Sequence, residues 1–231
     1  MVQVNTPINL RVKFKKTGRL QYVSHLDLVR TMHKIIVRAG LPLWYTEGFN
    51  PKPKMVFAAP LSIGTESMTE FVDIRLLEKM DTAEALSRLN RNMTEEMQAI
   101  SAYYPTTKLT ELKWMSYTIL IKTGGVCDEL ARKCEAALSE DKIEIEKRSK
   151  SGENVRVNIR PLIKSADVIA DGEIIRISCV LSADQSAFLN PEHIIKVLKA
   201  SCGILSDKNL TNQWYSIMRV LAYREDMSEF L

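Results

Sequence analysis

The feature that most constrains this chain is a change of hydrophobic period at Ser24. Before it, Leu10, Val12 and Phe14 alternate with Arg11, Lys13 and Lys15, the two-residue repeat of a strand with an apolar face and a basic solvent face. Lys16-Thr17-Gly18-Arg19 interrupts the run, and Leu20–Val23 is read as its continuation. After Ser24 the repeat becomes helical: Leu28/Val29, Met32, Ile35/Ile36 and Ala39, with Gly40 as the stop. Ser24, with Asp27 three residues on, has the form of an N-cap.

The same reading extends along the chain. Leu41–Tyr45 is a short strand, Glu47–Lys54 a loop, and Met55–Ala59 and Thr69–Leu77 strands. Asp81-Thr82-Ala83-Glu84 opens a second helix, Met97–Tyr104 is a strand, and Pro105 closes the unit. Strand, helix, strand, strand, helix, strand is the split βαβ, ferredoxin-like order. Beyond it come a strand at Lys113–Lys122, a helix at Val126–Leu138, and strands at Ile143–Arg148 and Val155–Ile159 around a hairpin loop at Ser149–Asn154. Asp171-Gly172 marks a second hairpin before Glu173–Leu181. Asn190-Pro191-Glu192 opens a helix to about Ser201, with Pro191 at its first position, and Gln213–Tyr223 is a last strand. The fold class expected is α+β. It comprises two tandem ferredoxin-like domains, residues 1–106 (basic) and 113–231, joined near Thr106–Leu112. A chain of 231 residues is long enough for two such cores.

Charge is distributed unevenly over this outline. Residues 1–54 hold ten Lys/Arg against Asp27 and Glu47, a net of +8 in a chain whose total is +4. A local cationic excess attracts polyanions whatever the overall balance. Arg30, Lys34 and Arg38 recur every fourth residue on one helix face with no evident acid between them. A solvated face is the plainer alternative, but like charges at this spacing repel. Gly48-Phe49-Asn50-Pro51-Lys52-Pro53-Lys54 presents an aromatic, an amide and two lysines on a proline-stiffened loop, the composition used on single-stranded nucleic acid. The alternative is that Phe49 anchors the core. His25, at the start of the first helix, is a weak candidate general acid/base; no paired carboxylates or nucleophile elbow accompany it. His33 lies eight residues on, about 12 Å along a helix, too far to share a metal with it. Arg148, Lys150, Arg156, Arg160 and Lys164 surround the second-domain hairpin but interleave with Glu144, Glu146 and Glu153. Trp214 and Tyr215 are assigned to the core.

Cys127, Cys134, Cys179 and Cys202 form no metal-binding spacing, so neither zinc nor iron–sulfur chemistry is expected and no cofactor is assigned. No secretory leader and no membrane-length apolar run is legible, which predicts a cytoplasmic protein.

Four runs carry a family resemblance: Lys13–Asp27 (KFKKTGRLQYVSHLD), Glu47–Lys54 (EGFNPKPK), Ala59–Gly64 (APLSIG) and Glu70–Asp73 (EFVD), with Ile159–Leu162 (IRPL) further on. The chain resembles the radical SAM-linked protein family, a bacterial domain of unknown function. That domain also occurs fused to the C-terminus of cobalamin-binding-type radical SAM proteins. The resemblance implies an accessory to a radical SAM enzyme, whose iron–sulfur chemistry would belong to that partner. More loosely, the outline resembles repeat-associated RNA-processing proteins with paired ferredoxin-like domains, some of which cut RNA with a histidine near the first helix. It lacks their Gly-rich C-terminal loop.

The function expected is therefore a non-catalytic RNA-binding accessory protein in RNA or ribosome modification. Its partners are RNA or a ribonucleoprotein and a radical SAM enzyme. Lys13, Lys15, Lys16, Arg19, His25, Arg30, Lys34, Arg38, Phe49, Asn50, Lys52 and Lys54 form the nucleic-acid surface. The alternatives are a metal-independent endoribonuclease using His25 and a protein-docking module for the radical SAM partner.

Overall fold

The computed structural model describes residues 6–148, 154–206 and 212–231. The chain has a mixed α+β fold and divides into two compact units, residues 1–111 with Leu231 and residues 112–230.

The first unit contains β1 (Ile8–Lys16), a 3-10 turn (Gly18–Tyr22), α1 (His25–Arg38), β2 (Met55–Phe57), β3 (Thr65–Leu76), α2 (Thr82–Asn90) and β4 (Ala99–Tyr103). Its strands lie in the order β4–β1–β3–β2, every pair antiparallel. Leu10, Val12 and Phe14 are buried as their alternation requires. They pack with Val72, Ile74 and Leu76 of β3 against Leu28, Met32, Ile35 and Ile36 of α1 and Ala85 and Leu89 of α2. Each large apolar side chain buried this way contributes about 1.5–3 kcal/mol. α1 starts where Ser24 accepts a bond from the Asp27 N–H at 3.2 Å, which satisfies one of the free donors of the first turn. α2 starts the same way, with Asp81 accepting from the Glu84 N–H at 2.8 Å. Gly40, at φ +64°, turns the chain out of α1.

The second unit contains β5 (Trp114–Lys122), α3 (Asp128–Ser139), β6 (Glu144–Arg148), β7 (Asn154–Asn158), β8 (Ile163–Asp171), β9 (Ile174–Ser182), α4 (Glu192–Cys202) and β10 (Trp214–Tyr223). Four of its strands run in the order β10–β5–β9–β8, again antiparallel throughout. The β6–β7 pair, which follows α3 and precedes β8 in sequence, forms a separate two-stranded sheet. Met115, Tyr117, Ile119 and Ile121 of β5 and Ile175, Ile177, Cys179 and Leu181 of β9 alternate into the core.

Several expectations are corrected. Leu20–Val23 does not extend β1; Gly18–Tyr22 is a 3-10 turn, because Gly18 takes a positive φ of 59° and redirects the backbone. Leu41–Tyr45 is not a strand but makes only the isolated pairings Leu43–Leu76 and Tyr45–Pro53. Pro191 is the N-cap of α4 rather than its first helical residue. Trp214 and Tyr215 are not core; both are more than two-fifths exposed, and Tyr215 donates to Glu192 at 3.0 Å. The predicted hairpin loop Ser149–Asn154, with Lys150 and Glu153, lies outside the described residues up to Asn154.

Candidate nucleic-acid interface

α1 divides cleanly into two faces. Leu28, Met32, Ile35 and Ile36 are buried, while His25, Arg30, Lys34 and Arg38 are exposed. Arg30 is not without an acid: it pairs with Asp27 at 3.1 Å, both side chains more than half exposed. The Ser24 hydroxyl donates to Asp27 at 2.7 Å. That bond, with the Arg30 guanidinium, holds the Asp27 carboxyl below its ordinary range. An exposed pair of this kind is screened by solvent and easily exchanged for another anion. Lys34 and Arg38 have no ionic partner among the described residues.

The proline-stiffened loop lies against this helix. Thr46 and Lys52 close it, through Thr46 N–H to Lys52 C=O at 2.9 Å and Lys52 N–H to the Thr46 hydroxyl at 3.1 Å. Lys54 N–H donates to Trp44 C=O at 3.1 Å. His33 Nε2, on α1, meets the Pro53 carbonyl oxygen at 3.1 Å and so ties the base of the loop to the helix. Within four residues of that tie, Phe49 is fully exposed. Asn50, Lys52 and Lys54 are exposed beside it. Phe49 therefore anchors no core. The structure brings Arg30, Lys34, Arg38, Phe49, Asn50, Lys52 and Lys54 onto one helix and the loop docked on it.

The β1 cations do not join them. Leu10, Val12 and Phe14 point toward α1, so Arg11 and Lys13 point away through the sheet. Arg11 was expected on a solvent face, yet it is fully buried. Its guanidinium grips Asp73 through Nε at 2.7 Å and Nη2 at 3.0 Å. It also donates to the hydroxyl and carbonyl of Thr107 at 2.8 and 3.0 Å. Asp73 stands directly across the sheet from it. Lys13 is half-buried over the Phe71 ring, 5.9 Å from its centroid. Lys15 is half-buried. Lys16 is 1% exposed, because it continues the inward alternation of Leu10, Val12 and Phe14. A phosphate cannot reach a side chain so covered. Arg19 is exposed on the 3-10 turn, where Glu96 accepts from its backbone N–H at 3.2 Å.

A family described as "Uncharacterized protein conserved in bacteria (DUF2344)" matches residues 9–191. The chain belongs to this family. No curated protein is significantly similar in sequence. Among solved structures, this DUF2344 member is similar to a Cbf5–Nop10–Gar1 complex (13% identity, TM-score 0.48). It is also similar to an H/ACA ribonucleoprotein bound to a substrate RNA containing 2′-deoxyuridine (13%, 0.46) and to an archaeal box H/ACA Nop10–Cbf5 complex (11%, 0.44). The alignments cover 95, 92 and 95% of this chain but 50, 46 and 49% of the others. The DUF2344 chain thus spans about half the length of those it matches.

His25 sits at the first residue of α1, its ring edge-on to Phe57 at 5.5 Å. Among the described residues no titratable side chain pairs with it. In the second unit of the DUF2344 chain three of the basic residues are engaged locally. Arg156 faces Glu146 across the β6–β7 pair, Arg160 donates to the Ile163 carbonyl at 2.7 Å, and Lys164 lies 4.8 Å over the Trp114 ring. Sequence reasoning passed over Tyr22, Leu26, Val37 and Tyr45, all at least 44% exposed. For Leu26 and Val37 a signal existed: both fall outside the spacing set by Leu28, Met32, Ile35, Ile36 and Ala39.

Proposed function

We propose that this chain is a non-catalytic RNA-binding accessory protein, and that α1 with the Gly48–Lys54 loop is its RNA surface. The observation that carries the reading is the His33–Pro53 contact, which holds an exposed aromatic beside a row of exposed cations. An aromatic on which a base stacks, flanked by cations that neutralise its phosphates, suits single-stranded RNA. Lys34, Arg38, Lys52 and Lys54 would meet phosphates, Arg30 would exchange Asp27 for one, and Asn50 would contact a base or sugar edge.

The wider reading places this activity in the cytoplasm, beside a radical SAM enzyme that modifies RNA or ribosomes. That partnership rests on the sequence resemblance. Among the described residues no helix is long and apolar enough to cross a membrane. Each unit is read as a ferredoxin-like domain, the first ending near residue 106 and the second starting near 113. The strand orders β4–β1–β3–β2 and β10–β5–β9–β8, each with two helices, support that reading.

Binding of a short single-stranded RNA by fluorescence anisotropy tests the surface. Phe49→Ala should cost about 1–3 kcal/mol of affinity and leave the melting temperature unchanged, since Phe49 supports no packing. The RNA should also stay uncut, and cleavage lost in His25→Ala would replace the accessory reading with an endoribonuclease. A second reading, a docking surface for the radical SAM partner, is favoured by the exposed Tyr22, Leu26 and Val37. No RNA binding at low salt would leave that one standing.

A further inference from the structure

The end of α1 lies beside α2, where Arg88 reaches the Gly40 carbonyl. Between the end of α1 and the exposed side of α2 lies an open cleft of about 410 Å³ lined by Arg38, Ala39, Glu84, Arg88, Arg91 and Asn92. Three arginines face one cleft against a single acid. Arginine at a helix C-terminus ordinarily offsets the negative end of the helix dipole, and Arg88 does that here. It donates to the Gly40 carbonyl at 3.0 Å and holds Glu84 through Nε at 3.0 Å. That accounts for one arginine and for the acid. Arg38 and Arg91 are exposed and have no ionic or hydrogen-bonding side-chain partner among the described residues. Asn92 is fixed with its amide donating to the Arg88 carbonyl at 2.9 Å.

We propose that this cleft is a phosphate-binding pocket, with Arg38 and Arg91 as the two arms that take the anion. Guanidinium groups match phosphate oxygens two at a time, and a planar fork loses little freedom in doing so. Arg88, locked between Glu84 and Gly40, sets the floor and adds charge without needing to move. Arg38 is also the last residue of the α1 stripe. A backbone lying along Arg30 and Lys34 arrives at the pocket about 12 Å further on. The RNA source of the phosphate rests on the function proposed above, whereas the pocket's chemistry does not.

The test follows the arginine side-chain Nε–H signals of the nitrogen-labelled full chain by NMR, assigned with Arg38→Gln and Arg91→Gln. Three probes are titrated: inorganic phosphate, a short RNA with a 5′-hydroxyl, and the same RNA with a 5′-phosphate. The pocket predicts saturable shifts of the Arg38 and Arg91 signals. Arg91→Gln should weaken binding, read at the Arg38 signal, roughly fivefold or more, and Arg91→Lys should recover part of it. A response to the 5′-phosphorylated RNA alone assigns the pocket to chain ends, and an equal response to both RNAs assigns it to internal phosphodiesters. Shifts with inorganic phosphate but no binding of either RNA support the pocket as a free-phosphate site and remove the RNA reading. Phe49→Ala separates the two, since it should weaken RNA and leave the phosphate response intact. RNA binding that leaves Arg38 and Arg91 unmoved, or no shift with any probe, overturns the proposal.

Discussion

Salt removes RNA from a cationic surface in proportion to the phosphates that the surface neutralises, which turns the geometry of this chain into a measurable slope. Nine cations were candidates from sequence. The structure leaves five on α1 and its docked loop: Arg30, Lys34, Arg38, Lys52 and Lys54. At a slope of about −0.7 per phosphate for single strands, five contacts give a log–log slope near −3.5, and nine would give about −6. Between about 50 and about 200 mM salt, affinity should then fall by about two decades rather than nearly four. The assay is anisotropy of a labelled single-stranded RNA at several salt concentrations. Lys34→Gln should make the slope shallower by about 0.7. Lys13→Gln should leave it alone, because Lys13 lies over Phe71 on the far face of the sheet. A wild-type slope near −6, or a Lys13→Gln effect equal to that of Lys34→Gln, would refute the division of the cations between two faces.

Three further outcomes follow from the packing. Arg11→Met should destabilise the first unit by about 3–5 kcal/mol, because Asp73 is left nearly buried without its partner; urea unfolding measures it, and adding Asp73→Leu should restore most of the loss. His193 keeps Nδ1 buried without a hydrogen-bond partner among the described residues. Burial, with Lys147 and Lys196 nearby, pushes its pKa down from 6.5 to about 4. The folded state therefore resists a proton that the unfolded state accepts. Stability should be full above about pH 6.5 and fall as pH drops toward 4, and His193→Leu should flatten unfolding midpoints over that window. Finally, burial pushes the Cys179 thiol up to about 12, and burial together with Cys202 does the same to Cys134. Alkylation of native protein followed by mass spectrometry should therefore modify exposed Cys127 first.

The elements whose signals are local were legible in the sequence. Leu10, Val12 and Phe14 declare a strand, and Ser24 and Asp81 declare helix starts, because period and capping act over three or four residues. What escaped is set at long range. Arg11 reads as a surface cation until Asp73, 62 residues away, is placed opposite it. Lys16 shares the inward alternation of Leu10, Val12 and Phe14, yet its type reads as surface. The Glu47–Lys54 loop was visible as composition, but its tether to α1 through His33 and Pro53 was not. Trp214 and Tyr215 looked like core by type, and their positions at the start of β10 leave them exposed.

The buried Arg11 also bears on how the protein is made. Synthesis runs from the N-terminus, and domains fold as units as they emerge. β1 is among the first segments out, yet the guanidinium it must bury finds Asp73 only after 62 more residues, and Thr107 only after 96. Burying Arg11 before those partners exist would leave its charge uncompensated. β1 therefore completes its side-chain bonds only once segments far along the chain are present. A gene fragment cut before Thr107 would encode all four strands and both α-helices of the unit but lack the carbonyl and hydroxyl that Arg11 grips.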